Sequence, residues 1–546
     1  MTGAKTLRER IAAAETVRKE REGLWRTVQN FCFPASLTYR EEQGSGDERE
    51  RRLADSTAVR SLELFASFLL SNVFVAGAVG TQSFWIKPEG TNGEADEDLL
   101  RQDMALRQWC DLVAKRVRSA LFTGKQSAVA ALHKLCLDLG AYGSACFAVW
   151  EDGKARKGIR FQHIPVWEVS GEADAEGETC AVYIRKTFRA RAALMKFPSL
   201  AGKVNAEKDT PVEMLYACIR TDDPEIKDIV PEQYLATGAE WVGIWLHPET
   251  ETYADIGVFL EQPIFLVPWY SVDDGVWGRS PAMTALGEVA QANSLSELIT
   301  RGAEKLVDPP WMVRDGALLS PLRLYPAGIT YTDGDRALEP LLPPGASRIE
   351  VGVDMLADKE RRIREAFFIH LFMDQNPTGS KQPRTVGEIM VNQDERNRAV
   401  SPMVLRLQNS LLEPLIWRVL GVLTRQGRLP PPPAQPGQAF IVQHLSPVIT
   451  SAMQTEAMAA VRWLEGVAFI SQLDPQAADV VNADAVASLL HSASGVPARL
   501  MRSRQEIEAI RQARAEQQQM MTGAAVAAEA GNTMAKLISA TGSKQR

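Results

Sequence analysis

Along residues 7–33, Leu7, Ile11, Val17, Leu24, Trp25, Val28 and Phe31 recur every three to four positions among mixed charges. That spacing predicts an amphipathic helix, ended by Pro34. Asp55-Ser56-Thr57 supplies a cap for a second helix. The uncharged stretch Leu64–Ile86 is long enough to cross a bilayer. Ser67, Ser71, Asn72, Gly77, Gly80 and Thr81-Gln82-Ser83 interrupt it, so we read a buried helix over Thr57–Phe74 and a strand at Phe84–Lys87. Leu99–Thr123 and Ser127–Leu139 read as further helices separated by Gly124.

From Gly143 to Tyr270 the periodicity shifts toward two. Ala145–Glu151 and Ile159–His163 flank the turn signal Asp152-Gly153. Ala181–Thr187, Val212–Ile219, Trp241–Leu246, Thr252–Phe259 and Phe265–Tyr270 are further strand candidates, with a short helix at Ala190–Phe197. After a loop, Pro281 suits the first turn of a helix over Ala282–Leu306, which stops before Asp308-Pro309-Pro310. A Pro/Gly-rich insert follows, with strand candidates Trp311–Val313 and Gly328–Tyr331. A charged helix over Asp354–Phe372 comes next.

Asp374–Arg384 is a polar run broken by Pro377, Gly379 and Pro383 that neither helix nor strand accommodates. Beyond it, Thr385–Gln426 is expected to be a long helix with Val404, Leu407, Leu411, Leu415, Val419 and Val422 on one face. Pro414 removes one backbone hydrogen bond there, and so kinks or divides that helix. Ala439–His444 reads as a strand. Ser451–Leu473, Gln476–Ser492 and Pro497–Met521 read as helices, with Ser503 and Glu506 in a capping-box pattern. The Ala/Gly-rich Gly523–Arg546 is expected to be mobile.

The chain has 546 residues, so several α+β domains are expected, and its formal charge of −7 argues against a nucleic-acid clamp held by a basic surface. The six cysteines form no C-x-x-C pair and read as buried, reduced thiols. With a polar, charged Met1–Arg10 they fit synthesis in a reducing cytosol, without a secretory signal. No phosphate loop, dinucleotide fingerprint, HExxH, GxSxG or zinc spacing occurs. The six histidines are scattered, and the adjacent Asp273-Asp274 reads as turn and cap chemistry. Neither catalysis nor a cofactor is expected.

The Asp374–Arg384 loop is the best candidate for contact with a ligand. Lys381 and Arg384 are its cations, and Gln375, Asn376, Thr378, Ser380 and Gln382 its hydrogen-bonding groups. The set suits passing phosphate contact without base reading; an ordinary solvated connection is the alternative. The helices that bracket the insert carry mixed charges, among them Arg301, Lys305, Lys359 and Arg362. These fit either a solvated face or pairing between subunits, with the remaining charges toward a lumen.

The ordered set of elements resembles the portal, or head-to-tail connector, proteins of short-tailed, T7-like bacteriophages, over about Leu7 to Gln519. The resemblance is carried by Trp25 to Pro34, Asp55-Ser56-Thr57-Ala58 with Phe84-Trp85, and Pro268-Trp269-Tyr270 to Gly278-Arg279-Ser280-Pro281. Asp308-Pro309-Pro310 and Pro326-Ala327-Gly328 belong to it as well. So does the run from Thr385-Val386-Gly387-Glu388-Ile389 through Glu395, Pro402, Arg406-Leu407-Gln408 and Leu412–Ile416 to Gly427-x-Leu429-Pro430-Pro431. Gly387 and Asn392 depart from the pattern.

The resemblance implies a ring-forming portal fold. Residues 1–281 would be an α/β wing, 282–307 and 351–373 paired stem helices, and 308–350 a clip. Residues 374–384 would be the channel loop, 385–449 a kinked wing helix with a return strand, 450–521 a helical crown, and 522–546 a mobile tail. It implies a homo-oligomer of about twelve subunits at one capsid vertex of the virion. Double-stranded DNA would pass through it without sequence reading. The implied partners are the terminase large subunit, major capsid and scaffolding proteins and tail adaptor proteins, with no membrane. The alternative is a multidomain soluble enzyme with a site between the β-rich region and the helix after Pro281.

Overall fold

The computed structural model describes residues 2–35, 53–74, 84–90, 99–100, 103–123, 127–151, 158–204, 210–235, 238–271, 275–309, 311–313, 320, 331, 338–340, 349–372, 402–403, 405–433, 439–444, 447–472, 479–493, 502 and 506–521. In chain order the elements begin with α1 (Thr2–Cys32), α2 (Thr57–Leu69, prolonged by a π turn over Leu70–Phe74), β1 (Phe84–Pro88), α3 (Met104–Phe122) and α4 (Val129–Tyr142). Then come β2 (Ser144–Glu151), β3 (Ile159–Ile164), β4 (Val169–Ala173), β5 (Thr179–Arg189), α5 (Ala190–Lys196), β6 (Pro211–Arg220), β7 (Trp241–His247), β8 (Thr252–Phe259) and β9 (Ile264–Pro268). The chain continues with α6 (Pro281–Val307), β10 (Trp311–Val313), β11 (Leu338–Pro340), α7 (Ile349–Ala366), α8 (Ile369–Phe372) and α9 (Glu413–Arg425). The last are β12 (Phe440–His444), α10 (Pro447–Ser471), α11 (Ala483–Ala493) and a helical segment at 506–521. The mixed helix and sheet content and the division into units match the expected α+β, multidomain class.

The chain forms two compact units. The first comprises 1–78, 119–426 and 446–448. Its centre is an antiparallel meander of five strands, β4-β5-β6-β7-β8, beside an antiparallel three-stranded sheet, β3-β2-β9. One face of the meander is covered by the start of α1. Ala4, Leu7, Ile11 and Ala14 pack on Tyr183, Leu215, Ala217, Val242 and Ile244. Farther along α1 the buried stripe resumes with Trp25, Val28 and Cys32. Trp25 meets Tyr142 and Trp277 edge-on at 6.1 and 5.2 Å. Val17 and Leu24, expected on the stripe, are exposed. Buried Glu15, which binds Arg185, and buried Arg18, which donates to the Trp167 carbonyl, occupy the inward positions between the two halves.

In this unit β10 pairs antiparallel with β11, Leu338–Pro340; of the other strand candidate, Gly328–Tyr331, Tyr331 is outside any strand and 328–330 lie outside the described residues. One expectation needs correction. The predicted continuous helix Asp354–Phe372 is broken after Ala366, and it starts earlier, at Ile349. The sequence reading also omitted β4, whose Val169-Ser-Gly-Glu-Ala has little alternation and a register shift at Glu172/Ala173.

The second unit comprises 79–118, 427–445 and 449–546. Here β1 pairs antiparallel with β12, Phe84 opposite His444. Trp109 donates to the Pro430 carbonyl at 2.9 Å and its ring lies 5.1 Å from that of Phe440. The proline run is thereby tied to α3. Arg511, in the last helical segment, binds Asp484 of α11 through two hydrogen bonds. Among the described residues, no helix is long and apolar enough to cross a membrane.

Candidate functional site

The sequence directs attention to α6, α7 and the residues that follow them. Ser280 caps α6: its Oγ accepts from the Met283 amide at 2.9 Å and donates to the Ala141 carbonyl at 2.8 Å. Pro281 occupies the first turn, as expected. Upstream, Ser144 Oγ accepts from the Gly278 amide at 2.8 Å. Gly143, at φ 76°, and Gly278 approach so closely that a Cβ on either would lie within 2.5 Å of the other's carbonyl oxygen. The junction where the enzyme alternative would place its site therefore holds side chains and backbone bonded to one another. Asp273-Asp274 lie outside the described residues.

α6 and α7 run antiparallel. Gly352 faces Ile299, and Gly302 faces Ile349. A Cβ on Gly352 would meet Ile299 Cγ1 at 3.2 Å, so the missing side chain sets a close approach. Burial is graded along the pair. Pro281, Ala282, Met283, Ala285, Val289 and Ala292 are buried, whereas no later residue of α6 is. Ile363 alone is buried on α7. Among the described residues, the last hydrogen bonds from α6 to the body are at Asn293, whose Oδ1 accepts from the Ala54 amide at 2.8 Å, and Ser296, which donates to the Ala54 carbonyl. Beyond them Leu298, Val307, Val351, Val353 and Met355 are exposed, Val307 at 87%.

The four arginines of this pair are each met by a carboxylate of their own helix. Arg301 binds Glu297; Arg362 Nε lies 3.0 Å from Asp358; Arg364 binds Glu360 at 2.7 Å. Arg361 also binds Asp358, whose carboxyl is thereby held below its ordinary range. Such exposed pairs within one helix contribute little to stability. Lys305 and Lys359 have no ion pair among the described residues.

α7 ends on an aromatic anchor. Phe367 is fully buried, its ring 6.3 Å from that of Phe65 on α2, and Phe65 meets Trp269 edge-on at 5.1 Å. Phe368 then takes φ 60° and packs 6.4 Å from Trp269 before α8 begins. A positive φ on a bulky residue is costly, so this break is imposed by the packing on both sides. The candidate loop residues Gln375, Asn376, Thr378, Ser380, Lys381, Gln382 and Arg384 lie just beyond α8, outside the described residues, as does 385–400.

The described residues resume in helix at 402–403 and 405–407, pass through a π turn, Gln408–Leu412, and continue as α9 with Pro414 in its first turn. The backbone stays right-handed helical through Leu412 and Glu413, so the widened turn in front of Pro414 accommodates the lost amide. Sequence reasoning missed what fixes α9. Arg418, fully buried, donates to Glu261 at 2.8 Å and lies 3.7 Å from Glu151. Arg425 binds both carboxylates, reaching Glu261 Oε1 at 2.6 Å. Glu261 also lies directly against Gly421, where a Cβ would be 1.9 Å from its Oε1. Two cations seven residues apart on an apolar helix are the signal that was available: they share a face and call for two carboxylates.

The chain matches the family described as bacteriophage head to tail connecting protein over residues 4–501, and it belongs to that family. It is 24% identical to the "Probable portal protein" of Bordetella phage BPP-1, across 100% of this chain and 97% of the relative. It is 23% identical to the "Portal protein" of Salmonella phage epsilon15, across 95% of this chain and 92% of the relative. Among solved structures, a chain from the virion of a native gene transfer agent particle aligns at 12% identity over 80% of this chain and 90% of that one, with a TM-score of 0.38, too low to bear on the fold.

Proposed function

We propose that this chain is a portal protein: copies close into a ring at one capsid vertex, through which double-stranded DNA enters during packaging and leaves at ejection. Family membership along nearly the whole chain carries the reading. The geometry of α6 and α7 supports it. A helix pair that leaves its body with Leu298, Val307, Val351, Val353 and Met355 uncovered exposes apolar area on the order of 1 kcal/mol per side chain. Neighbouring copies would bury that area in head-to-tail contacts that close a ring.

In this reading α6 and α7 are the stem, and 308–350 form the clip that docks a terminase and later tail adaptors. Residues 1–281 and 385–449 form the wing toward capsid and scaffolding proteins, and 450–521 the crown. The virion is the site of action. The role is structural: ATP hydrolysis belongs to the docked terminase, since this sequence has no phosphate loop. Arginines neutralised within the stem helices suit a wall past which DNA slides, because unpaired cations at phosphate are what make binding tight, and only Lys305 and Lys359 stay unpaired among the described residues. The 374–384 loops narrow the channel, with Lys381 and Arg384 nearest to phosphate.

Deleting 377–383 tests the loop assignment. Rings should form normally, while packaged DNA is lost or never retained, measured as nuclease-protected genome per particle. Loss of ring assembly would overturn this role for the loop.

A further inference from the structure

Two stretches far apart in the chain, Pro268-Trp269-Tyr270 and Arg406-Leu407-Gln408, meet in the first unit. Arg406 Nη1 donates to the Trp269 carbonyl at 3.3 Å, and its guanidinium lies 5.3 Å over the Tyr270 ring. Arg406 stands in a helical turn whose next residues, Leu407 and Gln408, are buried, which holds its backbone in place. The end of α7 reaches the same dipeptide. Phe368, at φ 60°, packs 6.4 Å from Trp269, and Phe65 backs that indole edge-on at 5.1 Å. The entry to α6 is tied there too: the Arg279 amide donates to the Tyr270 carbonyl at 2.8 Å, one residue before the Ser280 cap. The ladder of β9 with β2 ends at Pro268, so the carbonyls of Trp269 and Tyr270 take partners from outside the sheet. One partner precedes α6; the other follows the segment that begins after α8.

We propose that Trp269 and Tyr270 are a shared anchor for both roots of the segment between Phe372 and Pro402, with Phe368 and Arg406 as positioning residues. That segment contains the candidate loop Asp374–Arg384. Holding both roots on one dipeptide fixes the span the segment must close, and so limits where its polar groups can reach. A guanidinium suits the second root, because its plane lies on a ring while its edge donates to a carbonyl. The bond from Arg279 joins the start of α6 to the same point, so a load on the segment reaches both helices of the pair and not α7 alone. In the portal reading the anchor sets how far the loops project toward DNA. This consequence rests on that reading; the anchorage itself does not.

Limited trypsin digestion of the full-length protein tests the anchor without requiring a ring or DNA. Arg406→Ala should speed cleavage after Lys381 and Arg384 about tenfold, because a hydrogen bond and a cation–ring contact no longer hold one root and proteolysis follows the open population. Cleavage after Lys203 and Lys227, exposed elsewhere in the same unit, should not change. Arg406→Lys keeps a cation and a donor and should restore part of the resistance. Tyr270→Leu removes the ring from a half-exposed side chain and should speed cleavage about threefold. Unchanged cleavage after Lys381 and Arg384 in both Arg406→Ala and Tyr270→Leu would overturn the proposal. So would a rise at all four sites alike, which would mean that these contacts merely stabilise the fold. In assembled particles Arg406→Ala should leave rings intact and lower the nuclease-protected DNA, with Arg406→Lys intermediate. Full protection despite faster cleavage would overturn the link to DNA, while ring formation by the wild type tests the portal reading separately.

Discussion

At the residue scale the most consequential group is Arg418. A guanidinium with no exposed surface, facing Glu261 and Glu151 and stacked 5.3 Å over Phe259, is stable only while its partners stay. Among the described residues, Nε and Nη2 have no hydrogen-bond partner, so the pairing is already incomplete. Arg418→Met should cost about 1.5–3 kcal/mol, measured by urea unfolding, because a charge-assisted hydrogen bond is lost while Arg425 still binds both partly exposed carboxylates. A cost below about 1 kcal/mol for Arg418→Met would show that water already neutralises the cluster. The thiols were legible from sequence: Cys32 and Cys110 are buried, and burial pushes each up to about 12. The partners of Arg418 were not. Glu151 ends a strand and Glu261 lies in a connection, at sequence separations that no periodicity reaches.

At the element scale, the break at Phe367-Phe368 separates what pattern can reveal from what packing imposes. The charged run and the apolar run join without a breaker residue in Ala366-Phe367-Phe368-Ile369, so a single helix was the natural expectation. The structure instead seats Phe367 on Phe65 and Phe368 against Trp269, and one continuous helix cannot aim both rings at those neighbours. Comparing two substitutions isolates the backbone cost. Phe368→Ala and Phe368→Gly both lose the ring, but only glycine adopts φ 60° freely. The glycine variant should be more stable than the alanine variant by about 1 kcal/mol in chemical denaturation. If alanine were the more stable, as it is inside a helix, the break would not persist in solution. Pro414 gave the opposite lesson: proline chemistry predicted a kinked or divided helix, and a π turn precedes it within a backbone that stays helical.

At the scale of the whole molecule, the order of elements said more than any motif. Each fragment of the resemblance is short, yet among the described residues strand β9, capped helix α6 and returning helix α7 follow in the expected order. Within the meander β5 to β8 were readable because each alternates between the α1 face and its opposite, whereas β4 alternates too little. The second unit was readable only as a set of helices and two strands; that these, β1 and β12, pair across more than three hundred residues is something local pattern cannot forecast. The candidate loop rests on its breakers alone, since 374–384 lie outside the described residues. The arginines of α6 and α7 were legible as residues, while their pairing with Glu297, Asp358 and Glu360 required coordinates.

The central claim is that copies of this chain associate through the exposed helix pair into a closed ring. Negative-stain microscopy of the purified protein, over a range of salt and protein concentrations, tests it most directly. The account predicts rings with an axial hole and about twelve subunits, reduced to smaller species when Leu298 and Val351 are both changed to glutamate. A folded monomer at every concentration and salt, with no ring formed, would contradict it.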